Sequence, residues 1–463
     1  MSSSQLPHPS NALGTSITDE AFFTELINRE FGRLAAGGHT YLDYTGGGLY
    51  AACQLKAHHE LLANQVLGNP HSTNPTSQLA TKLTDEARRR VLEFFNASED
   101  YHCIFTANAS SALKIVGECF RWAEDSNYLL TADNHNSVHG IREYCRSRGG
   151  SFTYSPILPQ DLSLDREALD SMLMKPANGK PRLFAMPAQS NVSGIKHDLH
   201  WVGRAKELGW STLLDAAAFA PTNKLDLQQV KPDFACLSFY KIFGYPTGLG
   251  CLLVRKEAFD LLQKPWFAGG TVNLSAVAEP CHMLRDNHER YENGTINYLD
   301  LPAITIGLDF IDGIGMDRIT KRINSLMGAL IARLCKLRHT NGQPLVRCFG
   351  PEDRKDCGGT LIFNLLRADG TRLPFEDVDN KATKQMISIR SGCFCNPGID
   401  ELTNDISGAS LKAYFAGPNE GNYYDMMQRL GKMRGATRVS VGIATSQEDL
   451  DTFVGFLSSY LDC

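Results

Sequence analysis

The chain has no run of about 18 apolar residues, the minimum for a helix that crosses a bilayer. Its opening, MSSSQLPHPSNALG, carries neither a basic flank nor a hydrophobic stretch. Neither a membrane span nor a secretory signal is expected, and a cytoplasmic protein is. Concentrated positive charge is also missing. The net charge is −5 with the basic residues dispersed, which argues against nucleic acid or an anionic membrane as a partner. The thirteen cysteines lack the pairing of a disulfide framework, being odd in number and irregularly spaced, so they read as reduced thiols. Cys103, Cys119, Cys236, Cys251 and Cys335 fall in apolar segments and read as small core residues. No repeat, low-complexity block or flexible linker interrupts the 463 residues, a length that exceeds one core and predicts more than one domain.

What is present is a regular alternation. An N-terminal arm and helix occupy 1–40, where Ser16 and Asp19 have capping-box spacing ahead of the apolar run Ala21 to Leu34. A large domain is expected over 41–300. Within it, β-rich runs at Tyr101 to Phe105, Tyr128 to Thr131, Arg182 to Met186, Thr212 to Asp215, Phe234 to Ser238 and Gly250 to Val254 alternate with helical stretches. That pattern predicts an α/β domain whose mostly parallel sheet is covered on both faces. A smaller α+β domain is expected over 301–463. It opens with helix from Pro302 to Leu337, interrupted near Gly313 to Gly315, and continues with strands at Gly359 to Leu365, Gln385 to Ser391 and Thr437 to Gly442. A final helix is expected from Gln447 to Leu461.

Two strand ends carry the chemistry. Asp215 closes one apolar run, and Lys241 follows the next in Ser238-Phe239-Tyr240-Lys241-Ile242-Phe243-Gly244. A lysine that reaches a cofactor aldehyde from a rigid element, with an aspartate that keeps a pyridine nitrogen protonated, is what pyridoxal phosphate chemistry requires. A solvated lysine in a turn explains Lys241 alone but not the pair. Asn108-Ala109-Ser110-Ser111 passes from strand into helix, where free N–H groups and hydroxyls can hold a phosphate, although a Ser/Asn cap explains the same residues. His135 follows another strand and can lie on an aromatic ring or exchange a proton. Asn191 has an amide suited to a cofactor oxygen or a carboxylate, or is a turn residue. Cys393 and Cys395, two apart in Arg390-Ser391-Gly392-Cys393-Phe394-Cys395-Asn396-Pro397-Gly398, are expected to point the same way on an extended loop. One C-x-C without further ligands is not a zinc pattern, so no metal is expected. Arg438, on an otherwise apolar strand, needs an anion, either a substrate carboxylate or a buried ion-pair partner.

These motifs, together with Tyr41-Leu42-Asp43-Tyr44, Gly68-Asn69-Pro70-His71-Ser72 and Glu292 to Leu299, resemble class V aminotransferase-fold (fold-type I) pyridoxal phosphate enzymes of the cysteine desulfurase group, above all the desulfurase domain of molybdenum cofactor sulfurases. The resemblance spans nearly the whole chain and implies a seven-stranded, mostly parallel sheet in a homodimer. It implies Lys241 as the cofactor-linked lysine, Asp215 as partner of the pyridine nitrogen and His135 as the stacking histidine. Ala109, Ser110, Ser238 and Tyr240 match phosphate-binding positions, with Thr295 reaching the phosphate from the partner subunit. Asn191 and Arg438 match the substrate-carboxylate side, and Cys395 matches the nucleophile that takes sulfur from a small amino acid for a later acceptor.

The sequence also departs from that pattern. Ala218 stands where many desulfurases have a glutamine that bonds the cofactor hydroxyl and where the molybdenum-sulfurase branch often has alanine too, and Asp400 stands where that branch commonly has cysteine. The chain ends at Cys463, and a stand-alone enzyme without the downstream sulfurase domain is expected. Two further readings stay open. Aspartate can take the place of cysteine and lose its β-carboxylate, leaving an enamine that is protonated or adds to an aldehyde co-substrate, as in relatives from peptide natural-product biosynthesis. A catalytically silent partner protein is the third reading, against which the retention of Lys241 and Asp215 weighs.

Overall fold

The computed structural model describes residues 19–176 and 181–463. Ser16 of the expected capping box lies outside them, and the first described helix is Asp19–Phe31.

Strands too apolar to face water on either side need cover on both. Arg182–Pro187 and Phe234–Ser238 are buried at every position. They lie inside a seven-stranded sheet ordered Tyr101–Thr106, Gly250–Arg255, Phe234–Ser238, Ser211–Asp215, Arg182–Pro187, Asn127–Thr131, Ser151–Ser155. Only Gly250–Arg255 runs antiparallel to its neighbours. The sheet matches the mostly parallel, seven-stranded architecture expected. Ser151–Ser155, absent from the sequence reading, is a half-exposed edge strand with little apolar signal.

Register sets up the site. Thr106 and Ser238 both pair with Gly250, Pro187 pairs with Asp215, and Asp215 pairs with Cys236. The carboxyl ends of the parallel strands therefore line one edge, where open α/β sheets bind ligands.

A second, four-stranded antiparallel sheet is ordered Val346–Cys348, Thr360–Leu365, Ala436–Ser440, Arg390–Gly392. The short strand Thr40–Tyr41 pairs in parallel with Ile387–Ser388, and Asp43 bridges to Ser440. The chain thus touches the second sheet before it builds the first. The long helical stretch splits into Pro302–Ile314 and Met316–Leu334 at Gly315, close to the expected interruption. Ser446 and Asp449 cap the last helix, Gln447–Ser458, with a capping box. Helices Pro397–Thr403, Gly408–Ala416 and Tyr423–Leu430, and the hairpin Val272–Ser275 with His282–Leu284, were not foreseen. Among the described residues no helix is long and apolar enough to cross a membrane.

Candidate active site

The strand edge opens on a cavity of about 180 Å3 lined by Ala109, Ser110, His135, Asn191, Asp215, Ser238, Tyr240 and Lys241, with Asn108, Gln189 and Ala218 beside them. Most of the expected site residues are thus brought together from five strand ends. Asp215 is buried, and its Oδ1 accepts the Ala217 N–H at 3.0 Å, which fixes the carboxylate while Oδ2 has no donor among the described residues. Lys241 lies on the one-turn helix Phe239–Phe243, with Gly244 as its left-handed cap. Burial lowers the Lys241 pKa, Asp215 draws it partly back, and Arg438 and Arg390 depress it further. The amine is thereby biased toward the neutral, nucleophilic form.

His135 caps the short helix Asn136–His139, its Nδ1 accepting the Ser137 N–H at 3.1 Å. The neutral ring therefore carries its proton on Nε2. Burial lowers the His135 pKa, Asp215 opposing and Lys241 adding to the effect.

At the head of helix Ala109–Cys119, the Asn108 side chain accepts from Ser111 N–H at 3.0 Å. Ala109 N–H donates to Ser238 Oγ at 2.9 Å, joining this helix to the end of the neighbouring strand. Ser110 and Ser137 hydroxyls meet at 2.6 Å. Three hydroxyls at a helix N-terminus form a cradle for an anion. Ser137 was missed, because a serine two residues past a loop histidine has no signal of its own. Thr295 is not in this cavity. It is exposed, with Asn69 Nδ2 at 3.4 Å from its hydroxyl, in a segment anchored by the buried Glu292–Arg88 pair at 2.8 Å.

The cysteine loop departs from expectation. The strand ends at Gly392, and Phe394 and Cys395 take left-handed conformations, φ 55° and 53°, which non-glycine residues adopt only when the surroundings compel it. The two thiols therefore do not share one side. Cys395 is exposed, whereas Cys393 turns into a cleft with Val192, Ile362 and Ile399, where burial pushes its pKa up. Large-domain groups pin the loop. Asn136 N–H donates to Cys395 O at 2.7 Å, Asn191 Nδ2 to Phe394 O at 2.9 Å, and Asn396 Nδ2 to Asp133 O at 2.7 Å and to Asn191 Oδ1 at 3.0 Å. A Cβ on Gly398 would stand 1.9 Å from Ala132 O, so only glycine permits this docking. Asn191 is thus committed to the loop. Asp400 is a buried anchor whose carboxylate takes Arg434 Nε at 2.7 Å and Gly435 N–H at 2.7 Å.

Arg438 is buried and ion-paired to Asp43 Oδ1 at 2.8 Å, and it donates to Asn191 O at 2.9 Å. Asp43 Oδ2 holds Arg390 at 2.7 Å. One carboxylate thus faces two guanidiniums, leaving one positive charge uncompensated. Among the described residues Arg438 Nε is buried without a hydrogen-bond partner, a spare donor for a further anion. Asp43 was missed because its partner lies almost 400 positions away. No group of three or more His, Cys, Asp or Glu among the described residues is arranged to hold a metal ion.

The donor set fits pyridoxal phosphate: a lysine biased toward its free amine, a fixed carboxylate, an anion cradle and a flat imidazole share one cavity. The chain matches the aminotransferase class-V family model over residues 40–453 and belongs to that family. It is 36% identical to the molybdenum cofactor sulfurase of Drosophila ananassae, over 94% of this chain and 60% of that protein. With the molybdenum cofactor sulfurase of Homo sapiens the identity is 35%, over 94% and 51%. The chain therefore spans between half and three-fifths of the length of these curated relatives. Its fold is similar to that of a cysteine desulfurase from Thermococcus onnurineus, with a TM-score of 0.77 and 24% identity over 94% of this chain and 97% of that one.

Proposed function

We propose that the chain is a pyridoxal phosphate-dependent enzyme that acts at the β-carbon of a small amino acid by cysteine desulfurase-type chemistry. Cysteine and the Cys395 thiol give alanine and a Cys395 persulfide, the substrate C–S bond breaking as the S–S bond forms. The observation that carries this reading is the exposed Cys395 on a loop pinned to the cavity of Lys241, Asp215 and His135.

When bound, the cofactor supplies an electron sink for the α-carbon. The chain's residues do the rest. Lys241 would hold the cofactor and move the substrate's α-proton; Asp215 would hold the ring nitrogen's proton; His135 would hold the ring. Ala109, Ser110, Ser238 and Tyr240 hold the phosphate. Arg438, with its spare Nε donor, takes the substrate carboxylate, and Asn191 serves that side by fixing the loop above it. A docked thiol favours sulfur chemistry over the loss of carbon dioxide from aspartate, which needs no thiol acceptor.

Thr295, exposed on an anchored segment, suits a phosphate contact supplied across a homodimer. A small sulfur acceptor can reach Cys395 from solvent, in a cytoplasmic setting. The units 1–40, 41–300 and 301–463 remain our working division, with Thr40 to Asp43 crossing to the second sheet. The test is separate incubation with cysteine and aspartate, following alanine, sulfide and carbon dioxide. Wild-type protein should form alanine from cysteine and Lys241→Ala should not; carbon dioxide from aspartate with no alanine from cysteine refutes the reading.

A further inference from the structure

We infer that Gln189 binds the cofactor, its side-chain amide donating a hydrogen bond to the ring oxygen next to the reactive aldehyde carbon; this rests on the cofactor assignment above. Ala218, which also lines the cavity, offers that oxygen no side-chain donor, and the amide of Asn191 is engaged at both ends by the cysteine loop.

Gln189 stands two residues beyond the strand that pairs with Asp215 and is 3% exposed. It lines both the main cavity and an adjoining chamber of about 40 Å3, with Lys241, Ala217 and Ala218 common to both linings. Its Oε1 accepts from Asn223 Nδ2 at 3.3 Å, and that Nδ2 also donates to Phe219 O and Thr222 Oγ1, each at 3.0 Å. With its acceptor end held, Gln189 can only donate from Nε2, and among the described residues that nitrogen has no protein acceptor. A Cβ on residue 358 would come within 2.4 Å of Oε1 and 2.9 Å of Nε2. Gly358 thus leaves the amide its space. An anchored amide at the meeting of two cavities, with its donors unspent, calls for an acceptor on the ligand. The ionised ring oxygen is that acceptor, and a donated hydrogen bond favours its charged form.

The experiment is a pH titration of the bound cofactor's visible absorption, with its dissociation constant, in wild-type holoenzyme, Gln189→Ala, the near-isosteric Gln189→Met and Asn223→Ala. Both Gln189 variants should raise the titration midpoint by about one pH unit and weaken cofactor binding about tenfold, the effect of one hydrogen bond to a charged group. Asn223→Ala should move both readings the same way by less. Folded Gln189 variants with the wild-type midpoint and affinity overturn the proposal. A wild-type protein that binds no chromophore instead refutes the cofactor assignment, so the two failures are distinguishable.

Discussion

Replacing Asp400 with alanine removes the buried anchor of the helix that begins two residues after Cys395. The lost interactions are the ion pair to Arg434, the Gly435 N–H bond at 2.7 Å and the Asn404 Nδ2 bond at 3.1 Å. The two charged side chains are only 2% and 8% exposed, so Arg434 would be left as a buried charge without its carboxylate. Breaking such a pair from one side costs about 3–5 kcal/mol, a large share of the 5–15 kcal/mol that holds a typical protein folded. Urea denaturation followed by circular dichroism should show that loss, and the rate of alanine formation from cysteine should fall with it as the loop loosens. Asp400→Ala with Arg434→Met should recover part of the stability, because it removes the orphaned charge as well. A loss below about 1 kcal/mol, as for an exposed pair, would refute the reasoning.

Asn191→Ala removes two hydrogen bonds to the cysteine loop, together worth about 2 kcal/mol. Amide hydrogen exchange at residues 393–398 should accelerate by roughly tenfold or more while cofactor affinity is unchanged; unaltered exchange would contradict the docking described. Burial, with Arg142 nearby, pushes His139 down to about 4. The unfolded chain takes up that proton near pH 6.5 and the folded one only near 4, so the contribution is present above pH 6.5 and is lost as pH falls toward 4. Stability should drop by roughly 2–3 kcal/mol between pH 7.5 and 4.5 on this account alone. His139→Gln should flatten that part of the profile, and an unchanged slope would exclude His139 as its source.

Most of the large sheet was legible in the sequence because its central strands are buried on both faces and read as unbroken apolar runs. Asp215, His135 and Ser110 were legible for a related reason: each closes a strand or opens a helix, so its place at the ligand-binding edge follows from local pattern, whereas the phosphate role of Ser238 came from the family resemblance. What was hidden depends on contacts distant in sequence. Asp43 meets Arg438 through a strand that crosses to the second sheet, and Gln189 is placed by Asn223 and Gly358. The alternation rule failed for Cys393 and Cys395 because two left-handed residues replace the extended chain it assumes. Helices Gly408–Ala416 and Tyr423–Leu430 are short and each buries a single residue, Tyr414 and Met426, so they leave little core signal.

The central claim is that Cys395 receives the substrate's sulfur. Intact and peptide mass spectrometry of wild-type holoenzyme after exposure to cysteine should show one added sulfur atom on Cys395, lost on reduction. Cys395→Ala should show none while still binding the cofactor. No added sulfur at Cys395 in the wild type, together with carbon dioxide release from aspartate that persists in Cys395→Ala, would contradict the account and make the aspartate reaction the function of this site.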